Sequence, residues 1–318
     1  MRKRLSAWIP LGFKLAITTV VLYYLLRRIS LGPALSQIAA IRPSMAIAAG
    51  GLVLTQLAVG SVRWWLISNL LAAPMTIAKA LEYTMVGQFF NQVLPTALGG
   101  DAVRAWLASN HGAPLGNAIR AVLCDRLVGL MALLIIISAT LFVKPEIADN
   151  SLPMQYVMRS TAILTCAALA GLYFFGDPLA RRLQTYRWAQ AIGRLIRDLR
   201  AALFSRETSV WTLSTSFAAH VAAVGAICLC ANGMGVTLEF GRAMTVVPAI
   251  VLVSMAPISI AGWGVREGAM IFGLGMLGVV AGDALAVSLA YGLLQIVIGI
   301  PGGALWLAGS RDRSADRQ

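Results

Sequence analysis

Six charged residues, Asp101, Arg104, Asp125, Arg126, Arg266 and Glu267, interrupt otherwise apolar stretches of this 318-residue chain. An arginine offers a fork of N–H donors to a phosphate or carboxylate, and a neighbouring acid can orient the ligand, balance its charge or take a proton. Gln88 and Asn91 add neutral donors and acceptors at i,i+3, with Gln92 at i+4, so all three share one helical face. Two of the charged groups follow the same punctuation. Pro95-Thr96-Ala97-Leu98-Gly99-Gly100-Asp101-Ala102-Val103-Arg104 and Pro257-Ile258-Ser259-Ile260-Ala261-Gly262-Trp263-Gly264-Val265-Arg266 both fit P-x4-G-x2-V-R, 162 residues apart.

These residues lie in a chain that is 58% hydrophobic and only 12% charged, a composition that excludes an ordinary soluble domain. Apolar runs long enough to cross about 30 Å of hydrocarbon, roughly 20 residues each, recur throughout. Full spans are expected at 10–28, 45–68, 118–143, 157–176, 210–232 and 284–308. The first is read as a retained signal-anchor helix, because Lys14 interrupts the run and no small-residue cleavage site precedes Arg27. Segments 78–110 and 240–280 each hold one copy of the motif. Ala78 to Leu94 makes only about 25 Å of helix before Pro95 and the Gly99-Gly100 pair stop it.

A break in a membrane helix frees backbone groups that only protein or a wet cavity satisfies. Both segments are therefore read as re-entrant or broken helical hairpins. The expected fold is an all-α integral membrane protein, one polytopic domain over 1–318. It has six full transmembrane helices plus the two hairpins, in two halves of about 1–150 and 151–318. Three spans per half make the second half an inverted repeat of the first, and matched breaks in two such halves point to a transport-type site. If Asp101 caps the helix after its break, its carboxylate takes up the first free N–H groups. The alternative is that it pairs with Arg104. Asp125 and Arg126, adjacent on a helix, point apart. Asp125 with Arg104, and Arg126 with Asp101, are the expected pairings, against a surface-anchor reading.

Charge supports a topology. Placing the N- and C-termini in the cytoplasm puts 19 of the 26 Lys/Arg on that side, as the positive-inside rule requires. The net charge of +13 therefore does not imply nucleic acid. Seven arginines fall in the basic loop 177–208, where Arg194, Arg197 and Arg200 recur every three residues. This suggests an amphipathic helix on the membrane surface, near acidic headgroups or a docking partner. Residues 144–155 read as an external loop. Cys124, Cys166, Cys228 and Cys230 lie in apolar segments and read as packing residues. His220 reads as a core histidine. No cofactor or metal is expected, and no nucleotide-binding or hydrolase motif is found, so neither ATP-driven transport nor catalysis is expected of this chain.

At these motifs the chain resembles the lysylphosphatidylglycerol synthase transmembrane (flippase-like) family. The residues that carry the resemblance are Phe89-Phe90-Asn91-Gln92-Val93-Leu94-Pro95, Gly99-Gly100-Asp101 with Arg104, Asp125-Arg126-Leu127 with Gly129-Leu130, and Pro257 to Glu267. The resemblance implies a domain that moves lipids between leaflets of a bacterial or archaeal cytoplasmic membrane. Longer members join this domain to a cytosolic synthase; the chain stops at Gln318 without one, so synthase activity is not expected.

The site expected on this basis comprises Gln88, Asn91, Pro95, Gly99, Gly100, Asp101, Arg104, Asp125 and Arg126 from the first half, with Pro257, Gly262, Gly264, Arg266 and Glu267 from the second. Arg104, Arg126 and Arg266 would bind phosphate, while Asn91 and Asp101 orient it. Trp263 stands where the first motif has Asp101, so two unlike half-sites are expected. The expected partners are membrane lipids with anionic or aminoacylated headgroups, and a partner enzyme that supplies them. The competing readings are a transferase acting on a lipid carrier, with Asp101 or Asp125 as base, and a non-catalytic subunit docking through 177–208.

Overall fold

About 20 apolar residues in a helix cross a bilayer, and five helices of the structure meet that length and composition. The structure is a computed structural model and describes residues 31–94, 98–143, 152–187, 189–255 and 263–315. Among them all regular structure is helical: α1 (Leu31–Ala39), α2 (Pro43–Leu70), α3 (Ile77–Val93), α4 (Gly99–Asn110), α5 (Leu115–Val143), α6 (Leu152–Gln184), α7 (Gln190–Phe204), α8 (Ser209–Gly233), α9 (Phe240–Ser254), α10 (Val265–Gly275) and α11 (Ala281–Ala315). The candidate spans are α2, α5, α6, α8 and α11. They coincide with five of the six expected crossings. The expected span 10–28, and residues 144–151 of the expected external loop, lie outside the described residues.

Both motif segments are interrupted helices. The first divides into α3 and α4, and the second into α9 and α10. At 17, 12, 15 and 11 residues, each piece is shorter than a crossing requires. Among the described residues, each motif segment thus forms two helices, neither long enough alone to cross a bilayer.

The described residues form two compact units that do not follow chain order. Unit 1 contains those up to Gln56, Glu82–Arg104, and those from Val221 onward. It holds both breaks. Here α10 packs on α9 and α11, and α1 packs on α11. The backbone of α3 lies on a glycine stripe of α11: Gly302 abuts the Met85 carbonyl, and Gly299 and Gly303 face Phe89. Small residues let membrane helices approach closely where hydrophobicity gives no drive for association. Phe90 closes the same contact edge-on against Trp306.

Unit 2 contains Leu57–Leu81 and Ala105–His220. Its core joins Ile67 of α2 and Leu71 just after it, Ala121, Cys124 and Val128 of α5, and Ala202 and Leu203 of α7. Much of the expected loop 177–208 is helical, since α6 continues to Gln184 and α7 follows. The amphipathic helix is present, but its apolar face is turned onto the protein. Leu195 and Leu199 pack on that core alongside Leu169 and Leu172 of α6. Asp198 pairs with Arg120 of α5 at 3.1 Å, and Arg200 with Asp177 at 2.6 Å. Burial raises the Asp198 carboxyl above its ordinary pKa, against the pull of Arg120, Arg197 and Arg194. The four cysteines are free, and three of them are buried.

The orientation of α7 has a direct test. Leu203→Ala, at a buried position, should cost about 2–5 kcal/mol, whereas Ile192→Ala, on the exposed face, should stay within about 0.5 kcal/mol. Thermal unfolding of the detergent-solubilised protein measures both. Equal effects would place the apolar face of α7 elsewhere.

Candidate functional site

The first break is held by side chains from both of its helices. Helix α4 begins at Gly99, so its leading N–H groups lack intrahelical acceptors. The Gly100 N–H goes to Asn91 Oδ1, on the last turns of α3, at 2.9 Å. A Cβ at Gly100 would overlap both the Gly87 carbonyl and the Asn91 carboxamide, so only glycine permits this approach. Of the two readings of Asp101, capping or pairing with Arg104, the structure shows the pair. Asp101 lies inside the first turn, and its Oδ1 accepts from Arg104 Nη1 at 3.3 Å. Both side chains are buried, with the Arg104 stem lying over Gly87. Gln88, half-buried on α3, donates to Gln295 of α11 at 2.5 Å.

The second break repeats this logic with different residues. Gly264, at φ +84°, is the N-cap of α10, a conformation that L side chains rarely adopt. Its N–H reaches Glu267 Oε2 at 2.5 Å. The other carboxylate oxygen accepts from Arg266 Nε at 3.0 Å, Arg266 Nη2 at 2.7 Å and Ser288 Oγ at 3.1 Å. Glu267 is fully buried. The Arg266 guanidinium also lies 4.7 Å from the Trp263 ring centroid, a cation–π contact.

Counting from the helix starts changes the comparison between motifs. Asp101 is the third residue of α4, and Glu267 is the third residue of α10. Each break thus places a carboxylate in the first turn of its second helix, where the helix dipole stabilises negative charge. Each carboxylate holds an arginine. Motif alignment, which sets Asp101 against Trp263, hides this correspondence.

One face of α11 serves both breaks. Ser288 bonds Glu267, Gly292 accommodates the Arg266 guanidinium where any side chain would collide, and Gln295 bonds Gln88. These positions, with Tyr291 between them, are spaced i, i+3, i+4 and i+7, a single helical stripe.

Unit 2 carries a separate buried cluster. Arg63 Nε meets Asp125 Oδ1 at 2.7 Å, and Arg63 Nη1 donates to Ser216 Oγ at 3.1 Å. His220 Nε2 lies 3.0 Å from the Gly129 carbonyl. A carbonyl only accepts, so Nε2 carries the proton. Arg63 lies within α2 and its side chain is largely buried. Asp125 is buried, not a surface anchor, and Arg126 is half-buried beside it. Pro95, Pro257 and Gly262 lie outside the described residues.

Sequence reasoning did not single out Arg63, Ser216, Ser288, Tyr291 or Gln295 as site residues. The available signal was their position: polar groups well inside apolar spans, where such groups are costly unless partnered. Among the described residues, no group of three or more His, Cys, Asp or Glu side chains has the arrangement of a metal site.

Five long apolar helices with paired interruptions and buried ion pairs define a multi-pass helical membrane protein of the broken-helix kind. Residues 12–303 match the family described as lysylphosphatidylglycerol synthase TM region, and the chain belongs to that family. This relates it to lipid modification or translocation. No curated protein gives a match to the chain.

The Arg266–Glu267 pair predicts a characteristic pattern of stability. Glu267→Ala strands a buried guanidinium and frees the Gly264 N–H, and should cost about 3–5 kcal/mol. The double replacement Arg266→Met with Glu267→Met should recover part of that loss, because it removes both charges. Thermal unfolding of the two variants checks this. A double variant less stable than Glu267→Ala would refute the pairing.

Proposed function

We propose that the protein is a lipid translocator, moving a phospholipid or lipid-linked headgroup between leaflets while the acyl chains stay in the bilayer. The observation that carries this reading is the pair of interrupted helices, each starting its second piece with a buried carboxylate–arginine pair. Charge buried at membrane depth is costly, and such groups characteristically mark a polar path. Family membership supports the lipid class of cargo.

Arg104 and Arg266 are the phosphate-binding candidates. Each is held by a carboxylate, so an arriving phosphate replaces one anion with another instead of meeting a bare cation. Asn91 keeps the α4 N-terminus in register for that exchange. The two halves then act as inverted repeats that expose the polar seam to either leaflet in turn. The bias of Lys/Arg supports cytoplasmic N- and C-termini in a cytoplasmic membrane. On this reading the chain is not itself an enzyme, and a separate enzyme supplies its lipid.

Leaflet exchange of a headgroup-labelled phospholipid in proteoliposomes tests the proposal. The wild-type protein should accelerate exchange. Arg104→Ala should lower the rate by about tenfold or more, the factor that one lost charge-assisted hydrogen bond supplies. Arg104→Lys should retain a measurable part. Chemical modification of the lipid without exchange would overturn the proposal in favour of an enzyme. Arg104→Ala and Arg266→Ala each remove the arginine that pairs with a buried carboxylate, so the thermal unfolding midpoint of each variant is read beside its rate.

A further inference from the structure

Three helices of unit 1 meet along a row of neutral polar side chains. Gln88 of α3 donates from Nε2 to Gln295 Oε1 of α11 at 2.5 Å. Gln295 donates from Nε2 to Tyr291 Oη at 2.9 Å. Tyr291 Oη donates in turn to Gln56 Oε1 of α2 at 3.4 Å. Every donor points the same way. The row therefore ends in an open acceptor, Gln88 Oε1, and an open donor, Gln56 Nε2, neither with a partner among the described residues.

The depth of these ends matters. Gln56 lies midway along Pro43–Leu70, and Gln295 midway along Ala281–Gly309. Gln56, one end of the row, and Gln295, which holds the other end at Gln88, thus lie mid-way along helices long enough to cross a bilayer, where an amide is costly unless partnered. Side chains that serve only to join helices would close their hydrogen bonds among themselves. This row links its members through one N–H of each amide and leaves its termini available, with Gln88 and Gln56 both only half-buried.

The chemistry of the row selects its ligand. It carries no charge, and the nearby Arg266 and Glu267 are bound to each other. The row itself offers a phosphate no cation and an ammonium no carboxylate; those charges sit beside it, in Arg266 and Glu267. A hydroxyl donates to an amide oxygen and accepts from an amide N–H, so a group with neighbouring hydroxyls satisfies both termini. We infer that the row Gln88–Gln295–Tyr291–Gln56 binds the uncharged, hydroxyl-bearing part of a lipid headgroup, a glycerol or a sugar. This rests on the translocator reading and names the substrate class within it.

The test is lipid retention by the purified full-length chain, read by native mass spectrometry after incubation with acyl-matched lipids. Phosphatidylglycerol and monoglucosyl diacylglycerol carry hydroxyls; phosphatidic acid and phosphatidylcholine carry none in the headgroup. The hydroxylated lipids should be retained about fivefold over the others, the factor one net hydrogen bond supplies. Preference for the first of them identifies glycerol as the ligand, and preference for the second identifies a sugar. Gln88→Leu and Gln56→Leu, at opposite ends of the row, should each bring the preference below about twofold. The thermal unfolding midpoint identifies any variant that fails to fold, and the other end then carries the test. Equal retention of all four lipids, or a preference unchanged in a folded variant, overturns the inference. Leaflet exchange separates the two claims: exchange without headgroup preference sinks the site alone, whereas selective retention without exchange sinks translocation alone.

Discussion

A charge in hydrocarbon must find its counter-charge inside the protein, and that requirement organises this molecule. Three arginines lie largely buried within apolar helical segments, and each meets a carboxylate: Arg63 with Asp125, Arg104 with Asp101, and Arg266 with Glu267. Such pairs add little net stability, because desolvation offsets most of the attraction. What they do is fix geometry. Arg63 ties α2 to α5 and α8 in unit 2, and Glu267 ties the start of α10 to α11 in unit 1.

The breaks follow from the same requirement. Stopping a helix at membrane depth exposes N–H groups, and each break supplies an acceptor locally. Asn91 reaches forward from α3 to Gly100, while Glu267 reaches back to Gly264. The two solutions differ in chemistry but answer one need, an oxygen for an orphan donor. Glycine is required at both points, in one case by close approach and in the other by a positive φ. The rest of each motif is free to differ, as Trp263 and Asp101 do.

The helices were largely legible in the sequence, because length and hydropathy decide crossings and Pro–Gly pairs decide interruptions. Five expected spans and both interrupted segments correspond to helices of the structure. Partnerships were less legible. Asp101 with Arg104 was visible because local spacing limits the choices. Asp125 with Arg63 was not, since the two are 62 residues apart and only the packing of α2 on α5 brings them together. The face of α7 was ambiguous for a related reason: amphipathicity specifies an apolar side but not whether lipid or protein covers it. The correspondence of Asp101 with Glu267 was hidden because matching letters aligned arginines, whereas helix starts align carboxylates.

The stripe on α11 has a mechanical consequence. Ser288, Gly292 and Gln295 hold elements of both interrupted pairs from a single rigid rod. A slide of α11 by one turn, about 5.4 Å, would withdraw the hydroxyl from Glu267, move a side chain into the space of the Arg266 guanidinium and part Gln295 from Gln88 in one stroke. A rigid shift of this helix therefore alters its contacts with both breaks at once. The stripe is thus a shared axle, and any rigid movement of it reaches both breaks.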